Sequence, residues 1–134
     1  MGGFPSNTIL SEDTFVAAKF VLNNYKIAYT AEAKVYHSHN YSISQEFKRN
    51  FDIGTFYGRE KWILQEFSSA EKEGIVFVWN QLKNLLSSRK INLIPNLLIR
   101  NFVKFVGYRL GINEKLIPLS VKKRISMHKK YWIH

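Results

Sequence analysis

The 134-residue sequence contains no cysteine, which excludes disulfides, thiolate metal ligands and a cysteine nucleophile and agrees with a reducing cytoplasm. It has no internal repeat, no low-complexity tract and no convincing linker. It also lacks a long apolar run. The uncharged, strongly apolar stretches Gly74 to Leu82 and Ile91 to Ile99 are about nine residues each, against roughly 20 for a helix that crosses a bilayer. No basic stretch followed by an apolar one opens the chain, so nothing in it reads as a signal peptide. Acidic residues are scarce in one half only. Residues 1–74 carry eight Lys/Arg against nine Asp/Glu, whereas residues 75–134 carry twelve Lys/Arg against Glu114 alone. The net charge of +10 therefore lies entirely in the second half, which implies a polyanionic partner there.

What is present suffices for a folded domain: 46% hydrophobic and 15% aromatic residues can build a core, which excludes intrinsic disorder. Ser11-Glu12-Asp13-Thr14 reads as a helix start with serine as the cap. Phe15, Ala18 and Leu22 follow at helical spacing, and Asn23-Asn24 stops the helix. Tyr25 to Tyr29 alternates as a strand, and Ala33 to His37 reads as a second strand after a turn. From Ser44, the positions Phe47, Phe51, Gly54, Gly58 and Trp62 mark one face of a long helix, on which the two glycines would admit another backbone. Ile75 to Leu86 predicts a second amphipathic helix ending near Ser87-Ser88. Pro95 opens a third, with Leu98, Phe102, Phe105 and Val106 opposite Arg100 and Lys104, and Gly111 closes it. Val121 to Trp132 is read as a short basic helix. The expected fold class is α+β, mainly helical.

Two features can carry chemistry. Glu12 and Asp13 lie in a first helical turn, where carboxylates complement the backbone N–H groups, and the plain reading is capping. The functional reading is a general base. His37 and His39 fall on the same side of an extended segment and could ligate a divalent metal, yet two imidazoles do not complete a site, and Asp13 and Asp52 are the only aspartates.

The ordered series Gly2-Gly3-Phe4-Pro5, Ile9 to Thr14, Asn23 to Thr30 and Glu32 to His37 resembles the second half of the family 2 glycosyltransferases, inverting enzymes of the GT-A type. Ser38 to Ser42, the Gln45 to Arg49 helix and the ending Leu119 to Trp132 are similar to the rhamnosyltransferase-like branch. The resemblance implies the carboxy-terminal part of a GT-A fold, a short extended region followed by amphipathic helices. Residues 1–42 would be the remnant of the catalytic domain and residues 43–134 a basic helical extension. It further implies transfer of a sugar, rhamnose among the candidates, from a nucleotide-diphosphate donor to a glycan or lipid-linked acceptor in cell-surface polysaccharide synthesis. By position, Asp13 matches the base with Glu12 beside it, and His37 matches a ligand of a divalent Mg or Mn on the donor diphosphate. Gly2, Gly3, Phe4 and His39 match substrate-contacting positions.

The family's Asp-x-Asp metal motif and a glycine-rich phosphate loop are both absent from these 134 residues. The chain is thus expected to be a fragment, a misplaced start or one part of a split gene, with a separately encoded amino-terminal half as a possible partner. Alone it is expected neither to turn over nor to bind a sugar nucleotide or metal tightly. For the basic half the expected partner is an anionic membrane surface at the inner face of the cell membrane, contacted by Lys122, Lys123, Arg124, Lys129, Lys130 and Trp132. The alternatives are a non-catalytic module that binds membrane or nucleic acid, a merely solvated basic face, and an interaction protein whose Gly54/Gly58 face docks a partner helix.

Overall fold

A computed structural model describes residues 3–36, 39–67 and 70–133, with backbone only for 70–73. The chain forms helices α1 (Glu12–Leu22), α2 (Ile43–Arg59), α3 (Lys61–Glu66), α4 (Ala70–Ser87), α5 (Ile94–Ile112) and α6 (Leu119–Ile125), with 3-10 turns at Ile91–Leu93, Glu114–Leu116 and Lys129–Ile133. Among the described residues there is no strand.

The two strands expected at Tyr25 to Tyr29 and Ala33 to His37 are therefore a correction. Residues 25–36 lie exposed with no ladder, and Tyr29, Val35 and Tyr36 face solvent. Alternation describes a strand only where neighbouring strands satisfy its backbone and cover its apolar side, and a lone hairpin is marginal in water. Ser11 is a second correction. It sits at φ 61°, ψ 32°, outside the extended region from which a cap hydroxyl reaches the first turn, and makes no cap hydrogen bond. The helix stop is as read: Asn24 adopts a left-handed φ of 63°.

Helix α2 starts at a capping box, in which the Gln45 N–H donates to Ser42 Oγ at 3.3 Å and the Ser42 N–H donates to Gln45 Oε1 at 2.9 Å. It ends at Arg59, so Trp62 belongs to α3 instead of continuing α2. Its buried face carries Phe51, Asp52, Gly54, Thr55, Phe56 and Gly58, and α5 lies against that face backbone to backbone. A Cβ on Gly58 would stand 2.6 Å from the Ile112 carbonyl oxygen, and one on Gly107 would stand 2.6 Å from that of Phe47. At Gly54 the obstacle is the Tyr108 carbonyl, and at Gly111 it is the Phe51 carbonyl. Four glycines, two per helix and four residues apart, thus create one contact. The Gly54/Gly58 face is filled by α5 of the same chain, so the reading in which it docks a partner helix is corrected.

The two helices run in the same direction. Near their starts, Arg100 and Lys104 of α5 pair with Glu46 of α2 at 3.0 and 3.5 Å. Near their ends, Arg59 meets Glu114 at 3.0 Å. Helices α3 and α4 carry the chain back between them. The apolar and basic sides of α5 lie opposite each other, as read, and it is the basic side that faces α2. Arg100 and Lys104 turn toward α2, while Leu98, Phe102 (67% exposed) and Phe105 point outward. The small face of α5 is the one that can approach closest, and Glu46 draws the cations to it.

The core combines Ile9 and Ala18 from the amino-terminal segment with Phe51, Phe56, Ile63 and Trp132. Residues on both sides of position 42 therefore share one core.

A matched pair of substitutions tests the helix contact. Gly111→Ala places a methyl against the backbone of Phe51 and Thr55, which a side-chain rotation cannot relieve, and should destabilise the chain by about 3 kcal/mol in urea unfolding. Gly74→Ala, in a helix with nothing within 4 Å, should be neutral or stabilise by up to about 1 kcal/mol. Equal effects at the two sites would contradict the contact.

Candidate functional site

Helix α1 is held on the body through Phe15, whose ring meets Trp62 edge-on at 5.7 Å, while the Trp62 indole N–H donates to Glu60 at 2.8 Å. Ala18, one turn on, enters the core. This anchorage leaves Glu12 and Asp13 exposed in the first turn. Asp13 Oδ1 accepts the backbone N–H of Thr14 at 2.7 Å. The Tyr57 hydroxyl has its pKa raised, by burial first and by the negative charge of nearby Asp13 second. Asp13 is thus a solvent-facing carboxylate in the first turn of a helix that Phe15 and Ala18 tie to the body.

The other matched positions are dispersed. Gly3 has open space around it, and Phe4 is exposed. Downstream of them, Thr8 and Ile9 form one wall of a groove of about 440 Å³, and residues 127–131 form the other, with His128, Lys129 and Lys130 among its lining. His39 stacks on Tyr41 at 5.0 Å, with the ring planes 11° apart. Gly2 and His37 lie outside the described residues, so the expected facing of Asp13 and His37 lies outside them too. Among the described residues no three His, Cys, Asp or Glu side chains come together as a metal site. His37, the expected ligand, is not among those residues.

The ionisable groups that the structure does bury were not among the sequence candidates. Asp52 is fully buried, and its Oδ2 accepts the backbone N–H groups of Met127 at 2.9 Å and His128 at 3.2 Å. Burial raises its pKa, against the opposing pull of Ser126 and those two N–H groups. Glu114 is buried between Arg59, which donates from Nε at 3.1 Å and from a terminal nitrogen at 3.0 Å, and the ammonium of Lys122. Burial works to raise Glu114, but the Lys122 hydrogen bond and the Arg59 charge outweigh it and the pKa is lowered. Arg59 also donates to the Tyr131 hydroxyl at 2.7 Å, and that hydroxyl donates to the Asn7 carbonyl at 3.2 Å. The signal for Glu114 was available, since one acid among twelve cations is a natural hub. Asp52 beside Phe51 on the glycine face was equally visible.

These contacts revise the expected membrane-contact set. Trp132 is only 4% exposed and packs near Phe51, under the cations of Arg59 and Lys122. Lys122 is committed to Glu114. Trp132 is a core residue, because the tail is clipped inward by Asp52 and Glu114. Arg124, Lys129 and Lys130 remain exposed, and Lys123 is half-buried.

No family model matches the chain, and no solved structure matches it. Two curated proteins do. The chain is 47% identical over 132 residues to the O-antigen chain rhamnosyltransferase WbaN of Salmonella anatum. It is 46% identical over 132 residues to the O-antigen chain rhamnosyltransferase RfbN of Salmonella typhimurium strain LT2. In both cases the match takes in 98% of this chain, and the chain spans 42% of the length of the relative. Among the described residues, no helix is long and apolar enough to cross a membrane.

The two buried carboxylates predict opposite pH responses. Glu114 is held below its usual range, so its stabilising effect is present above that range and is lost as pH falls through the folded-state pKa. Asp52 is raised, so its ionisation costs stability as pH rises from the usual range toward its folded-state pKa. Glu114→Gln should be less stable than the parent by about 2 kcal/mol at neutral pH, and the gap should close below the carboxylate range. Urea unfolding across pH reads this, and a gap of constant size would contradict the pairing.

Proposed function

We propose that this chain is the carboxy-terminal part of an inverting glycosyltransferase of the rhamnosyltransferase kind, with a GT-A catalytic domain. It would transfer a sugar from a nucleotide-diphosphate donor to a glycan or lipid-linked acceptor in O-antigen synthesis. The observation that carries the reading is the 46–47% identity to two O-antigen chain rhamnosyltransferases across nearly the whole chain. The placement of Asp13 supports it, because a base for an acceptor hydroxyl must be fixed yet open to a bulky polar substrate.

In this reading the Asp13 carboxylate takes the proton of the acceptor hydroxyl as its oxygen bonds to the anomeric carbon from one face. The bond from that carbon to the diphosphate oxygen breaks on the opposite face, and the electron pair leaves with the nucleoside diphosphate. Glu12 adds negative charge beside the base. Gly3, Phe4 and the groove between residues 8–9 and 127–131 offer an open, partly basic surface for the acceptor. The implied Mg or Mn, with His37 among its ligands, belongs to this proposal as a feature of the whole protein, where it would neutralise the departing diphosphate.

The relatives supply the missing context for a test. A chimera in which this chain replaces the matching 42% of the Salmonella anatum protein should transfer sugar. Asp13→Asn in that chimera should lower kcat by about a hundredfold or more while leaving the donor KM nearly unchanged. The isolated chain should release no nucleoside diphosphate. An Asp13→Asn chimera as fast as its parent would remove Asp13 from the reaction.

A further inference from the structure

The α2–α5 contact has a consequence on the far side of α5. With the glycine face turned inward, the apolar stripe of Leu98, Phe102 and Phe105 is left uncovered. Helix α4 adds Ile75 (71% exposed), Phe77 and Trp79. From residue 75 to residue 113 there is no acidic side chain and there are six cations. Two of these, Arg100 and Lys104, share the single carboxylate of Glu46. Lys83, Arg89 and Lys90 are exposed along the second half of α4 and the turn after it, and the Lys83 ammonium lies 5.6 Å from the centre of the Trp79 ring.

We propose that this surface, formed by α4, the Ile91–Leu93 turn and α5, docks on an anionic lipid bilayer, lying in the headgroup region without crossing it. Large apolar side chains left exposed on neighbouring helices that touch mark an interaction site. Its chemistry selects the occupant. Aromatic and branched side chains beside Lys and Arg, with no acid among 39 residues, match a medium that is apolar below and negatively charged above. A covering protein segment would have to supply apolar burial and an excess of carboxylates on one face. Neither helix is long and apolar enough to span the membrane, which fits a surface-lying pair. The inference does not depend on the transfer reaction, because lipid binding is read without activity. It also moves the membrane contact away from the carboxy-terminal tail, whose Trp132 and Lys122 are engaged internally.

The experiment is co-sedimentation of the 134-residue chain with vesicles of phosphatidylcholine alone or with added phosphatidylglycerol, at low and high salt. The chain should partition to the anionic vesicles and release from them as salt rises. Lys83→Gln, Arg89→Gln and Lys90→Gln together should weaken that partitioning by about a hundredfold. Phe102→Ser with Phe105→Ser should weaken it also, at unchanged helical circular dichroism, since both rings are exposed in the fold. Lys129→Gln with Lys130→Gln should change it by less than about threefold. Equal partitioning to neutral and anionic vesicles would overturn the proposal, as would loss of binding only in the Lys129/Lys130 variant. Retention on single-stranded DNA without vesicle binding would overturn it in favour of a nucleic-acid surface.

Discussion

The backbone contact between α2 and α5 is the constraint on which the remaining architecture depends. Gly54 and Gly58 meet the Tyr108 and Ile112 carbonyls, and Gly107 and Gly111 meet those of Phe47 and Phe51, so the two helices approach backbone to backbone at these four positions. Such closeness fixes rotation as well as distance. The rotation brings Arg100 and Lys104 to Glu46 at one end and Arg59 to Glu114 at the other, and it leaves the aromatic stripe of α5 on the outside. Dispersion between closely approaching backbones, individually small and collectively large, adds to the side-chain contacts that flank them, such as the Tyr57 and Tyr108 rings 6.2 Å apart.

The two buried carboxylates turn that helix pair into a platform for the chain ends. Asp52 holds the Met127 and His128 amides, and Glu114 gathers Arg59 and Lys122. Arg59 in turn links to Tyr131, and Tyr131 links to the Asn7 carbonyl. The segment that presents Asp13 and the segment that ends in Trp132 are therefore fastened to the same two helices. That arrangement explains how a solvent-facing carboxylate keeps a fixed position: its helix is tied down by Phe15 and Ala18, while the preceding loop is tied down by Ile9 and the Asn7 carbonyl. Removing a buried charge here would loosen the tail before it touched Asp13 itself, because neither Asp52 nor Glu114 contacts α1 directly through the bonds described.

Much of the helical part was legible in the sequence. Periodicity located α1, α4 and α5, and the four-residue spacing of Gly54 and Gly58 announced a close approach. Three features elude the sequence for one reason, namely that a local pattern does not state its partner. Alternation at residues 25–37 looks the same whether or not other strands flank it. The apolar stripe of α5 looks like a core face until the glycines take that role. Trp132 beside Lys129 and Lys130 looks interfacial until Asp52 and Glu114 draw the tail inward. The candidate site was legible chiefly through resemblance. Capping chemistry alone would have explained Glu12 and Asp13, and Ser11 does not even supply the cap.

The central claim is that the α2–α5 pair, through its buried carboxylates, holds the tail as part of one cooperative unit, and native-state hydrogen exchange tests it most directly. The Met127 and His128 amides, which donate to Asp52, should exchange only with the slow opening that exposes the α2 amides around Phe51 to Thr55, whereas the α4 amides around Ile75 to Trp79 should exchange far faster. Met127 and His128 amides that exchange as fast as those of α4 would contradict the account.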